Sequence, residues 1–159
     1  MTAKGMVAAI VLAITVCVAA GCTTDKESGG ENGGDSGAVT QAIMEIDGRE
    51  AAVTLAESEA AEALVSLLRG GDITFVTDDY GGFEKTGALG HRLPAADEHI
   101  AASPGDVMLY RGTDISVFYG SNTWSYTRLG RIDLPVSELR GFLGAGEGET
   151  EITLKLPAN

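Results

Sequence analysis

Apolar and polar residues alternate through "AIMEIDGREAAVTL" on both sides of Asp47-Gly48. That dipeptide tolerates the positive φ of a two-residue turn, so the pattern predicts a β-hairpin over residues 40 to 55. The period then changes. In "SEAAEALVSLLRGG" Ala60, Leu64, Leu67 and Leu68 fall on one helical face, with Ser58 placed to cap the start and Gly70 to end the helix. "DITFVTDDYGGFEKTGAL" returns to strand composition around a glycine turn near Asp79 to Gly82. "RLPAADEHIAASPGD" has neither period and holds Pro94 and Pro104, which predicts a connecting loop.

The second half of the chain holds a further hairpin, a strand, a short helix and a final strand. "DVMLYRGTDISVFYG" reads as a hairpin around Gly112, and "TWSYTRLGRI" as the strand after it. "DLPVSELRGFLG" predicts a short helix with Asp133 near its cap, Pro135 in its first turn, and Val136, Leu139, Phe142 and Leu143 on one face. "TEITLKL" closes the chain as a strand that turns Ile152, Leu154 and Leu156 the same way. Many short strands, two helices and no regular βαβ alternation predict a mainly β fold, a nearly closed antiparallel barrel with helices over its open ends.

The segments that carry this pattern, "ITFVTDDYGGFEKTGAL", "SPGDVMLYRGTDISVFYG" and "WSYTRLGRID", resemble the small bacterial cyclophilin-like domain family in content and order. The resemblance spans residues 40 to 157 and implies a cyclophilin-like antiparallel β-barrel closed by two short helices. Peptidyl-prolyl isomerases of the cyclophilin group carry catalytic residues in segments of the type "FHR" and "QGGD". This chain has neither segment, and "PGDVMLY" shares only a Gly-Asp step with the second.

The first 37 residues follow different rules. Lys4 precedes an apolar run from Met6 to Ala20 that is shorter than a spanning helix needs, and small residues lead to Cys22. This is the anatomy of a secretory signal, and Ala19-Ala20-Gly21-Cys22 is similar to the lipobox of bacterial lipoproteins. The resemblance implies a signal peptide over residues 1–21 that carries Cys17 away, with Cys22 left as the lipidated first residue. Acyl chains contribute about 0.8 kcal/mol per buried methylene, so more than one chain anchors stably. Residues 22–37 are Gly, Ser, Thr and charges, a composition that forms a flexible tether with a reach on the order of 20 Å. The domain is then residues 38–159, held at the extracytoplasmic face of the cell membrane.

Composition narrows the chemistry. The chain has 11 Lys plus Arg against 23 Asp plus Glu, a net charge of -12, which repels phosphate backbones and excludes nucleic acid as a natural partner. Both cysteines, Cys17 and Cys22, lie in the first segment, ahead of the domain, and the two histidines, His91 and His99, share the loop region. A disulfide framework, a metal site and a Ser-His-Asp set are therefore not expected, and no cofactor is. Asp78 and Asp79 sit in a turn where aspartate bonds locally, and "GFLGAGEGE" lacks the strand and helix context of a phosphate loop.

"SNTWSYTRLGRID" concentrates what remains. It holds the only Trp, and in a strand Trp124, Tyr126 and Arg128 project to one face. Such a face suits stacking on a peptide or planar ligand and forking onto a carboxylate. The other reading pairs Arg128 with a neighbouring acid such as Asp106. Phe118 and Tyr119 point opposite ways, one to the core and one to a rim or pocket. The candidate ligand-binding set is Trp124, Tyr126, Arg128 and Tyr119, acting on a peptide or small-molecule ligand. Two alternatives stand beside it: a weak peptidyl-prolyl isomerase in which Arg128 polarises the prolyl amide nitrogen, and a structural or assembly lipoprotein without a ligand pocket.

Overall fold

The computed structural model describes residues 39–158. The signal segment, the tether and Cys22 lie outside the described residues. Among the described residues no helix is long and apolar enough to cross a membrane.

The first hairpin forms as the alternation requires. β1 (Gln41–Ile46) and β2 (Arg49–Leu55) pair antiparallel from Gln41↔Thr54 to Ile46↔Arg49. Asp47 and Gly48 both take positive φ, 49° and 72°, which matches the turn to the right-handed twist of the strands. Ala42, Met44 and Ile46 go inward together with Ala51 and Val53. α1 (Glu59–Leu68) starts where the Ser58 hydroxyl accepts from the Ala61 N–H at 3.2 Å. The same hydroxyl donates to the Arg128 carbonyl, which fixes the helix to the barrel wall.

The remaining elements are β3 (Ile73–Tyr80), β4 (Glu84–Ala88), β5 (Glu98–Ala102), β6 (Asp106–Tyr110), β7 (Asp114–Phe118), β8 (Asn122–Ile132), α2 (Val136–Phe142) and β9 (Thr150–Lys155). Strand order runs β2-β1-β9-β3-β4-β7-β6-β8-β5, and β2 also pairs β8 through Val53↔Ile132 and Leu55↔Gly130. That last pairing closes eight antiparallel strands into a barrel. β5 lies outside the closed ring as a flap on the first half of β8.

Two faces of the wall bury different things. Val107, Leu109, Ile115, Val117 and Leu129 join residues from β1, β2, β3 and β9 in the main core, along with Leu64 and Leu68 of α1 and Leu139 and Phe142 of α2. Buried leucines of this kind contribute roughly 1.5–3 kcal/mol each. By strand alternation Met108 and Phe118 point the other way, and they form a second cluster on the outer face with Ala102 and Tyr126. β5 exists to serve this cluster. Residues 91–105 show no strand periodicity, but the open edge of β8 leaves backbone groups to be satisfied, and β5 meets them from Glu98↔Tyr126 to Ala102↔Asn122. The expected loop thus contains a strand specified by its partner rather than by its own pattern.

The terminal helix also departs from expectation in two residues. Pro135 occupies the N-cap position and has no side-chain acceptor to cap the helix, while the Asp133 carboxylate accepts from the Thr54 hydroxyl at 2.8 Å. Val136 is exposed, while Leu139, Phe142 and Leu143 are buried as the period requires.

Candidate functional site

The site is built on the outer face of β3, β4, β6, β7 and β8. Tyr80 pairs Glu84 across the β3–β4 hairpin, and Glu84 pairs Phe118 on β7. Since paired residues share a face, Tyr80, Glu84 and Phe118 stand side by side on the wall. Thr86 and Ser116 continue the face one step along, joined by a 3.0 Å hydroxyl bond. Tyr126 reaches over from β8 and meets Phe118 edge-on at 5.5 Å between centroids, and Tyr110 at 6.2 Å. Phe83 stacks parallel to Phe118 at 6.3 Å and meets the Tyr80 ring at 88°.

Except for Phe118, these side chains line a cleft of about 700 Å³, completed by Gly81, Asn122 and Trp124. Its walls are aromatic. Trp124 and Tyr80 form the outer lip, 55% and 61% exposed, and Tyr126 lies deeper at 3%. Asn122 donates to the Tyr126 hydroxyl at 3.1 Å and holds that ring in place.

Glu84 is the ionisable acid of the lining. Its side chain is buried, and its Oε2 has no hydrogen-bond partner. Burial pushes the carboxyl above the usual range, partly offset by the Ser116 hydroxyl. Burial also raises the Tyr126 phenol, and the nearby Glu84 charge adds to the effect.

The four residues singled out by sequence divide between two places. Trp124 and Tyr126 line the cleft. Arg128 shares their face of β8, but its guanidinium is drawn to Asp106 at 3.2 Å, where Arg131 also binds at 2.8 Å. A bulge lets both arginines reach one carboxylate. Asp106↔Arg131 and Val107↔Gly130 are followed by Met108↔Arg128, so Leu129 is the extra residue and Arg131 returns to the outer side. Asp106 also accepts from the Ser103 N–H at 2.9 Å, as the Gly-Asp turn predicts. Arg128 is absent from the cleft lining, and an isomerase step through it has no support in this arrangement.

Tyr119 belongs to the main core instead. Its hydroxyl donates to Asp79 at 2.8 Å, and Arg140 stacks over its ring at 4.7 Å. Burial, then the Asp79 bond and charge, push its phenol up to about 12. Asp79 itself collects Lys85 at 2.9 Å, the Gly146 N–H at 2.9 Å and the Gly148 N–H at 3.1 Å. Burial opposes its ionisation, but the bonds from Lys85, Gly146, Tyr119 and Gly148 outweigh that and hold the carboxyl well below its ordinary value. Asp79 is therefore an anchor for the loop between α2 and β9, not a local turn residue.

Tyr80, Phe83, Glu84 and Asn122 were not among the candidates drawn from sequence. The available signal was the pairing of Tyr80 with Glu84 around a tight glycine turn, which puts an acid and an aromatic on one face. Among the described residues no cluster of His, Cys, Asp and Glu is placed to hold a metal ion.

Comparison with known proteins now gives the fold its family. The profile of the Cyclophilin-like family matches residues 44–155, from within β1 to the end of β9. The chain belongs to the cyclophilin-like family. The solution structure of the hypothetical protein AF2241 from Archaeoglobus fulgidus is similar, with a TM-score of 0.54 at 16% identity, covering 78% of this chain and 99% of that one. No curated protein matches the chain. The cyclophilin-like assignment establishes the barrel, and at this identity the archaeal structure adds support for the fold alone.

Proposed function

We propose that this cyclophilin-like protein is a membrane-tethered, extracytoplasmic binding protein whose outer cleft takes a peptide segment or small ligand without covalent chemistry. The observation that carries the reading is the cleft, about 700 Å³ with aromatic walls and one buried, unpartnered carboxyl oxygen. Small-molecule sites are commonly concave, of this volume, and mostly apolar with a few placed polar groups. Trp124 and Tyr126 serve as the ligand-facing aromatics of β8. Arg128 and Tyr119 support the wall through Asp106 and Asp79. The tether rests on the apolar run from Met6 to Ala20 and on the lipobox-like residues ending at Cys22.

Thermal denaturation with a panel of short peptides and small molecules tests the binding role. A true ligand at a hundred times its Kd raises wild-type stability by about 2.7 kcal/mol. Trp124→Ala, at an exposed position, keeps the fold and loses the ligand-induced rise, whereas Arg128→Ala retains it. Equal rises in wild type and Trp124→Ala refute the assignment of the cleft. For the anchor, Cys22→Ser moves the domain from the membrane fraction to the soluble one; retention in the membrane refutes lipidation at that residue.

A further inference from the structure

Glu84 is difficult to explain by folding. A buried carboxyl oxygen with no hydrogen-bond partner in the protein is destabilising, because desolvation of the acid is not offset by a bond or a counter-ion. The Ser116 hydroxyl, joined to Thr86 at 3.0 Å, also offsets part of the raised Glu84 pKa, but Oε2 itself has no partner. The rings around it are set at steep angles, 63° between Tyr110 and Tyr126 and 79° between Phe118 and Tyr126, so the cleft presents ring faces and edges from several directions. None of its lining residues is Lys, Arg or His. Of the cations near it, Lys85 is bound to Asp79 on the inner side of the wall and Arg128 to Asp106, while the Arg111 guanidinium lies over the Tyr110 ring at 4.9 Å.

Ring faces are negative, and a cleft that combines them with a carboxyl and no positive side chain selects for positive charge. We propose that the cleft is an organic-cation site, in which a substituted ammonium on an aliphatic or peptide stem sits among Trp124, Tyr80 and Tyr126 with Glu84 as its counter-ion. The proposal rests on the cleft being a ligand site and names the class of ligand. The net charge of -12 favours the approach of such a cation, an effect that salt screens. The competing chemistry is a neutral ligand whose carbonyl accepts a hydrogen bond from protonated Glu84.

Those two chemistries differ in the sign of their pH dependence. A cation needs ionised Glu84, so its binding releases a proton and tightens as pH rises toward and through the raised Glu84 pKa. A neutral acceptor needs the acid form and weakens over the same range. The other groups on this face are Tyr80 and Asp78 from β3, Tyr110 from β6, Tyr126 and the Asp106-bound Arg128 from β8, and Glu98 of β5, which pairs Tyr126. β7 contributes Asp114, Ser116 and Phe118 here, with Asp114 opposite Tyr110, whose ring the Arg111 guanidinium overlies. His99 is turned to the opposite face of β5 by alternation.

Trp124 is the only Trp in the chain and stands at the lip, so its fluorescence reports occupancy directly. Choline is titrated against its neutral carbon isostere, 3,3-dimethylbutan-1-ol, from pH 5 to pH 8. The expected result is saturable quenching by choline, about tenfold tighter than by the alcohol and tightening with pH. Glu84→Gln weakens choline about tenfold, leaves the alcohol unchanged and flattens the pH profile. Should that variant fail to fold, the wild-type contrast and its pH sign decide alone. Equal or tighter binding of the alcohol, affinity for choline that falls with pH, or a pH profile that survives in folded Glu84→Gln overturns the cation assignment and leaves the cleft as a site for neutral ligands. If neither probe reaches Trp124, both the cation assignment and the binding role of the cleft fail.

Discussion

Replacing Asp79 should be the most damaging single change to a polar side chain in this barrel. Its carboxylate is the counter-ion of Lys85, whose side chain is 0% exposed, and the two stand directly opposite across β3 and β4. In Asp79→Ala the ammonium keeps the Gly148 carbonyl as its remaining acceptor and has no opposite charge. Breaking a buried pair in this way costs about 3–5 kcal/mol, since the surviving charge is left desolvated. The Gly146 and Gly148 N–H groups and the Tyr119 hydroxyl lose their acceptor too, which releases the loop between α2 and β9.

For a domain of this size 1 kcal/mol moves Tm by roughly 3–5 °C, so Asp79→Ala should lower Tm by about 10–20 °C. The double variant Asp79→Ala with Lys85→Met should recover most of the loss, because a packed apolar chain replaces the orphaned charge. Acid titration gives an independent check. With the folded carboxyl held below the ordinary 3.8, the unfolded chain takes up the proton first as pH falls, and stability drops below about pH 4. Asp79→Asn should flatten that drop by as much as about 1.4 kcal/mol per pH unit. A Tm change under about 3 °C in Asp79→Ala, with the acid slope unchanged in Asp79→Asn, would refute the claim that this carboxylate neutralises Lys85.

Glu84 should give the opposite slope. Its folded pKa is raised, so the unfolded chain loses its proton first, near 4.5, and stability falls as pH rises from there to the folded value; Glu84→Gln should flatten this fall and leave the empty protein more stable at pH 7, measured by urea unfolding at several pH values. Tyr119 loses stability at the alkaline end, where the unfolded phenol ionises near 10 and the folded one near 12. Tyr119→Phe should remove that alkaline slope and cost about 1.5–3 kcal/mol at pH 7, the range for a hydrogen bond to a charged group. A Cβ at Gly130 would lie 2.4 Å from the Thr54 carbonyl oxygen, within the β2–β8 seam that closes the barrel. Gly130→Ala should therefore separate that seam, with faster hydrogen exchange at Ala56 and Asp133, whose N–H groups donate across it, and a loss of at least about 2 kcal/mol.

Much of the barrel was legible because its inner face obeys local rules. Alternation in β1, β2 and β9, the turn at Asp47-Gly48, and the Ser58 cap each specify their element without help from distant residues. β5 was not legible, since nothing in "EHIAA" requires a strand until the open edge of β8 is beside it. The bulge at Leu129 was hidden for a related reason. It is a mismatch in count between β6 and β8, and a single strand's pattern does not record its partner's register.

The site lies between these cases. Trp124, Tyr126 and Arg128 do share a face, as their spacing requires, but β8 is separated from β4 by β6 and β7, so the approach of Glu84 and Phe83 follows from strand order alone. A barrel needs one apolar face to fold, and the inner one supplies it. The outer face has a small buried cluster of its own in Ala102, Met108, Phe118 and Tyr126. Beyond that cluster, exposed Trp124 and Tyr80 contribute little to stability, and Glu84 detracts from it. Aromatics left half in water around an acid that the fold would be more stable without are the residues that packing does not explain. A ligand explains both at once, because it would cover the rings and supply the carboxyl with the partner it lacks.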